Sequence, residues 1–150
     1  MPDAMLTPRL ALPLLAAGQA QKEITHNEAL AMIDALLCPI VEAAGLNAPV
    51  ADPDSGLAWI VGPAPVGEWA GHAHHIAVAT MGGWRFADMP AGANVLVRAG
   101  GGVWRRGAAG WQAPTSIPAA VGGATVDTEC RASVSALISA LAAQGLIVAG

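Results

Sequence analysis

The side-chain types that hold metals come together once in this sequence, in His72-Ala73-His74-His75. On a strand, His72 and His74 would share a face, and three chains meeting on an axis would then offer six imidazole nitrogens. Glu68 is the only carboxylate beside them in sequence and no Cys is near, so the plainer reading is a solvated loop before a strand at Ile76. No metal and no other cofactor is expected. Nucleophilic catalysis has no better footing. Ser55, Ser116, Ser133, Ser135 and Ser139 fall in a turn, a Pro-rich linker or a C-terminal helix, and none occupies a G-x-S-x-G elbow. Glu23, Glu28 and Asp34 belong to a helix or its approach, and Asp52 and Asp54 to a turn, so no acid–base pair is set up. The glycine-rich stretches follow no strand-to-helix plan that would cradle phosphate. The expectation is a protein that is not an enzyme.

Tryptophan is the stronger signal. Trp59, Trp69, Trp84, Trp104 and Trp111 all fall in or near a β region, where aromatic platforms can stack on sugar rings. The competing reading is that they fill a thin core, since Trp supplies more buried area than other side chains. Trp84 and Phe86 share a strand face and read as core. Trp69, Trp104 and Trp111 are the candidate glycan contacts.

Composition says what must position these residues. Charged side chains make up 12% and hydrophobic ones 54% of the 150 residues, with no Tyr. Soluble proteins average about 25% charged, so part of the surface is expected to be covered by other chains. A net charge of −4 without a Lys/Arg stripe excludes nucleic acid as a partner. Cys38 and Cys130 stand far apart without metal spacing and are expected reduced and buried. The apolar run from Leu10 to Ala17 imitates a secretory leader, but Asp3 offsets Arg9 and Pro13 interrupts the run. Residues 132–150 carry no charge, yet Ser133, Ser135, Ser139, Gln144 and Gly145 make a poor membrane segment. A helix buried by protein, without membrane insertion, is expected there.

Three regions follow: an N-terminal docking segment and helix over 1–48, a small β domain over 49–114, and a linker with an oligomerising helix over 115–150. In the first, Gly18-Gln19-Ala20-Gln21-Lys22 reads as extended or irregular, and Thr25-His26-Asn27-Glu28 fits a capping box. Leu30, Ile33, Leu37, Ile40 and Ala44 then recur at steps of three and four as a short seam. Pro39 must kink or end that helix. In the second, short apolar runs alternate with Gly-rich turns: Leu57–Val61, Ile76–Thr80, Trp84–Ala87, Val95–Arg98, Val103–Arg105 and Trp111–Ala113. Met81-Gly82-Gly83 and Ala99 to Gly102 read as hairpin connections. In the third, Asp127 caps a helix whose Val134, Leu137, Ile138 and Leu141 form one stripe, with Ser133, Ala136, Ala140 and Ala143 opposite. Gly145 is its C′ residue, with Leu146 folding back over the end. The fold class is α+β: a small antiparallel sandwich or barrel of short strands flanked by an N-terminal and a C-terminal helix.

Two blocks carry a resemblance. Leu12-Pro13-Leu14, Gly18-Gln19-Ala20-Gln21-Lys22 and Thr25 to Leu30 resemble the opening of a domain family of alphaproteobacterial prophage and gene-transfer-agent virion proteins. Asp52–Val61, Gly67–Gly71, Gly82–Phe86, Pro90–Gly92, Gly110-Trp111 and Ile138–Ile147 are similar to it too. Met81-Gly82, in place of an acidic-Gly turn, and the glycines at 100–102 depart from its pattern in loops. The resemblance implies a spike, tail-fibre or connector subunit, located in a phage-like particle assembled in the bacterial cytoplasm. It implies a homotrimer, or a five-fold assembly if the subunit is a vertex-mounted spike base, that meets other virion proteins through its N-terminal segment; the tryptophans add a contact with host-surface polysaccharide. Leu30, Ile33, Leu37, Val134, Leu137, Ile138 and Leu141 are the expected oligomer interface. The alternative is a secreted carbohydrate-binding module.

Overall fold

The structure, a computed structural model, describes residues 5–18, 22–100 and 102–149. Of the segment expected to be extended or irregular, residues 19–21 lie outside the described residues and Lys22 opens a helix. The residues form an α+β fold, with helices toward both ends of the chain, short-stranded sheets, and no closed barrel among the described residues. Two compact units divide at Met89/Pro90, so the strands expected in one domain over 49–114 are shared between them.

In the first unit, α1 runs Lys22–Leu37 and stops where Pro39 disfavours helical geometry at Cys38. After it come β1 (Ile40–Val41), β2 (Ala44–Leu46), β3 (Ala58–Val61), β4 (Ile76–Thr80) and β5 (Gly83–Ala87). The sheet order is β2-β3-β4-β5, with β2 parallel to β3 and the other pairs antiparallel. All of β3 and residues 76–79 of β4 are buried, which is why both read as continuous apolar runs.

Cross-strand partners share a face, and the register pairs Trp59 with Ala77, Ala77 with Phe86 and Ala79 with Trp84. The small alanines of the middle strand leave room for indoles from both neighbours to meet above it. A single 3-10 turn at Gly67–Trp69 adds Trp69 to this layer. Trp84 takes both other indoles edge-on, Trp59 at 5.6 Å and Trp69 at 5.1 Å between centroids, an arrangement the ring quadrupoles favour.

The second unit pairs β6 (Asn94–Val97), β7 (Val103–Arg106) and β8 (Trp111–Gln112) antiparallel. A parallel pair, β9 (Ser116–Ile117) with β10 (Val148–Ala149), joins the linker to the chain end. Between them α2 spans Thr128–Ala143. Asp127 accepts a 2.8 Å hydrogen bond from the Cys130 amide, satisfying one of the helix's orphan donors. At the other end, Gly145 N–H donates to Ala142 at 2.9 Å and Leu146 N–H to Leu141 at 3.1 Å, the two bonds of a Schellman stop. Gly145 also brings its carbonyl 2.7 Å from the Val103 amide. Glycine is favoured there: φ is +70°, and a Cβ would stand a tight 3.2 Å from Gly102 Cα.

Candidate functional site

Contrary to expectation, Trp69 lies in the core. It is 0% exposed, held in the indole layer by the space over Ala77 and Ala79, so it offers no face to a glycan. Trp104 and Trp111 are half-buried. Trp104 pairs with Val95, and Trp111 pairs with Arg106, which alternates onto the Trp104 side of β7. Both indoles therefore share the sheet face of the buried Val95 and Val97, and each keeps part of its surface open.

The expected interface residues lie outward. No residue of α2 is buried; Val134 is 39%, Leu137 63% and Leu141 37% exposed, and Ile138 is half-buried. Along α1, Ile33 and Leu37 are exposed while Leu30 is half-covered. The residues that α1 buries are Asp34 and Ala35, off the seam.

Asp34 organises the N-terminal segment. Residues 5–14 form a hairpin, with Leu6 bridged to Pro13 and bonds from Thr7 N–H to Leu12 and Leu14 N–H to Met5. The Asp34 carboxylate is 1% exposed and accepts from Thr7 Oγ1 at 2.8 Å, Arg9 N at 2.9 Å and Leu10 N at 2.7 Å. Meanwhile the Arg9 guanidinium donates to the carbonyls of Gly56, Ala35 and Cys38, the last two at the C-terminal end of α1, where a cation is favoured. The Asn27 side chain closes the strap by accepting from Leu15 N and donating to Leu15 O.

This corrects the capping-box expectation. Because α1 begins at Lys22, Thr25 stands inside the helix, and its neighbours are claimed by distant partners. Asn27 holds the strap and Glu28 forms an ion pair with Arg85 on β5. Nothing in the local spacing marks Thr7 or Arg9 as partners of Asp34. The sequence signal, an acidic residue off the apolar seam of α1, was readable only as a surface carboxylate.

Between the hairpin, α1 and the β4–β5 turn runs a groove of about 550 Å³. Met5, Leu6, Leu15, Ile24, Ala31 and Met81 supply most of its apolar lining. Its ionisable groups are Glu23 and Glu28. The sequence did not single out this groove, because its walls come from four separate stretches of the chain.

The histidines occupy a turn before β4 and not a strand. His72 stacks flat on Phe86 at 3.7 Å and meets His75 edge-on at 5.3 Å, while His75 Nδ1 lies 3.0 Å from the Ala73 carbonyl. Their rings serve packing. No group of three or more His, Cys, Asp or Glu side chains is placed to hold a metal among the described residues. Cys38 and Cys130 are free and exposed, which overturns their expected burial; one follows the last turn of α1 and the other opens α2, positions the folds of both units leave open. No helix among the described residues is long and apolar enough to cross a membrane.

A family model described as "Protein of unknown function (DUF2793)" matches residues 26–112, more than half of the chain. The chain belongs to the DUF2793 family. The matched span opens within α1, covers the indole layer and ends with β8, so the anchors Asn27, Asp34 and Gly56 fall inside it. The strap they hold and α2 fall outside it. No curated protein matches the chain.

Proposed function

We propose that this DUF2793 protein is a structural subunit of a phage-like particle, a spike, tail-fibre or connector component working as a homotrimer. The observation that carries this reading is α2, a 16-residue helix with no buried residue. A helix of that length is marginal in water on its own, and its exposed Leu137 and Leu141 need cover. The exposed Ile33 and Leu37 of α1 add a second apolar surface. A chain with 12% charged residues supports the same conclusion, since a surface covered by other copies has less need of charge.

The particle itself is supported by the likeness of residues 12–30 and of the Trp-bearing segments to prophage and gene-transfer-agent virion proteins. On this reading the subunit assembles in the bacterial cytoplasm and meets other virion proteins through its N-terminal segment. Trp104 and Trp111 are the aromatics left to contact host polysaccharide. The secreted-module alternative has less support, because residues 5–15 are built into the first unit through Asp34 and Asn27. Native mass spectrometry and imaging of particles carrying a tagged chain test the proposal together. Three times the chain mass and label on particles are the expected results. A stable monomer at micromolar concentration, or particles without label, would overturn it.

A further inference from the structure

We propose that α2 of one copy seats in the first-unit groove of a second copy, joining subunits head to tail. This rests on the homo-oligomer reading above and adds which surfaces meet.

The groove's chemistry selects an apolar occupant. Asn27 is bonded twice to Leu15, Thr80 Oγ1 donates to the Gly83 carbonyl at 2.7 Å, and Glu28 is paired with Arg85. What the lining offers a partner is mostly side-chain hydrocarbon and thioether, with the Ser55 hydroxyl and the Glu23 carboxylate as its polar edge: Met5 is 48%, Leu6 50%, Ile24 54% and Met81 77% exposed. A sugar would bury hydroxyls there with few groups left to receive them. An apolar helical stripe loses no hydrogen bond on entering.

The same chain carries such a stripe. Val134, Leu137, Ile138 and Leu141 stand at i, i+3, i+4 and i+7, the anchor pattern of a helix laid into a groove. Pairing α2 with another α2 is the weaker use of it. Sixteen residues make little more than two heptads, short of the three to four that sustain a coiled coil. A groove covers a helix on two flanks and needs no such length.

Charge agrees. Glu28 is already paired with Arg85, and the groove's acidic edge is the partly exposed Glu23. Within α2 the only charged residues are Glu129 and Arg131, and Arg131 lies in line with Val134, Ile138 and Leu141. Its guanidinium, which also donates to Ala120 and Gly122 carbonyls, brings a cation to the acidic rim. Because groove and helix are different surfaces, the contact is heterologous, and it closes into a ring when the rotation between copies divides the circle.

Cross-linking of the full chain tests this, in a background where the exposed Cys38 and Cys130 are replaced by Ser. Differently tagged Ile24→Cys and Leu137→Cys chains are mixed and treated with a short bismaleimide. A mixed two-chain product should dominate, and Ile24→Asp should weaken association at least about a hundredfold with the circular dichroism unchanged. If Leu137→Cys chains join mainly to each other while native mass still reports an oligomer, the groove assignment fails and the oligomer reading stands. A double Ile24→Cys/Leu137→Cys chain linked only within itself also overturns the second copy as occupant. Monomer throughout overturns both.

Discussion

Replacing Asp34 by Ala should detach the N-terminal strap. The carboxylate is 1% exposed and is the acceptor for Thr7 Oγ1 and the Arg9 and Leu10 amides. Leaving a buried donor unsatisfied costs about 1–3 kcal/mol. Thr7 is 4% exposed and bears that cost in full, whereas Leu10, at 38%, lets water reach its amide. Relief of the buried charge offsets part of the sum, so the net expectation is a loss of about 1–3 kcal/mol. Asp34→Asn keeps one acceptor oxygen but turns an NH₂ toward a donor, and should lose about half as much. Denaturant unfolding gives the magnitude, and amide hydrogen exchange gives the location: protection at Thr7, Arg9, Leu10 and Leu14 should fall before that of β3 and β4. If the strap lifts as a unit, exchange at those amides rises while the global midpoint moves little. Removing residues 1–17, as a leader peptidase would, takes away Thr7 and Arg9 together and should cost at least as much. A loss under about 0.5 kcal/mol, the size of an ordinary surface substitution, with unchanged exchange over the hairpin, would refute the reasoning.

Four further outcomes are expected. Gly145→Ala meets both a φ of +70° and the Gly102 backbone, and should cost about 1–2 kcal/mol with fraying at the end of α2; full stability by thermal denaturation would argue against the close approach. Leu137→Glu with Leu141→Glu should convert the oligomer to monomer in native mass spectrometry, and an unchanged mass would remove α2 from the interface. Trp69→Ala should destabilise the first unit by about 3–5 kcal/mol. Trp104→Ala and Trp111→Ala should instead weaken retention on host polysaccharide, each by roughly two- to tenfold; retention equal to the wild type would strike both from the glycan surface.

What the sequence determined by itself is local. The strands at Ala58–Val61, Ile76–Thr80 and Val103–Arg106 were legible as apolar runs bounded by turn residues. The ends of α2 were legible because an N-cap Asp and a C′ Gly act within one turn of where they stand. Pro39 stopped α1 for an equally local reason. The tertiary structure decided the rest. β1, β2, β9 and β10 have two or three residues each, too few for a period to show, and three of them join parallel pairs that no hairpin turn can signal. Trp69 looked like Trp104 in sequence, and only the pairing of β4 between β3 and β5 set Ala77 and Ala79 beneath the other indoles and closed Trp69 in. Glu28 had the spacing of a cap and took Arg85 as its partner, since the sheet brings that guanidinium to α1. Asp34 looked like a solvated helix carboxylate until a hairpin folded over it. The physical reason is common to all of these: spacing encodes bonds made within a turn or two, whereas burial and ion pairing depend on which distant segments the fold brings together.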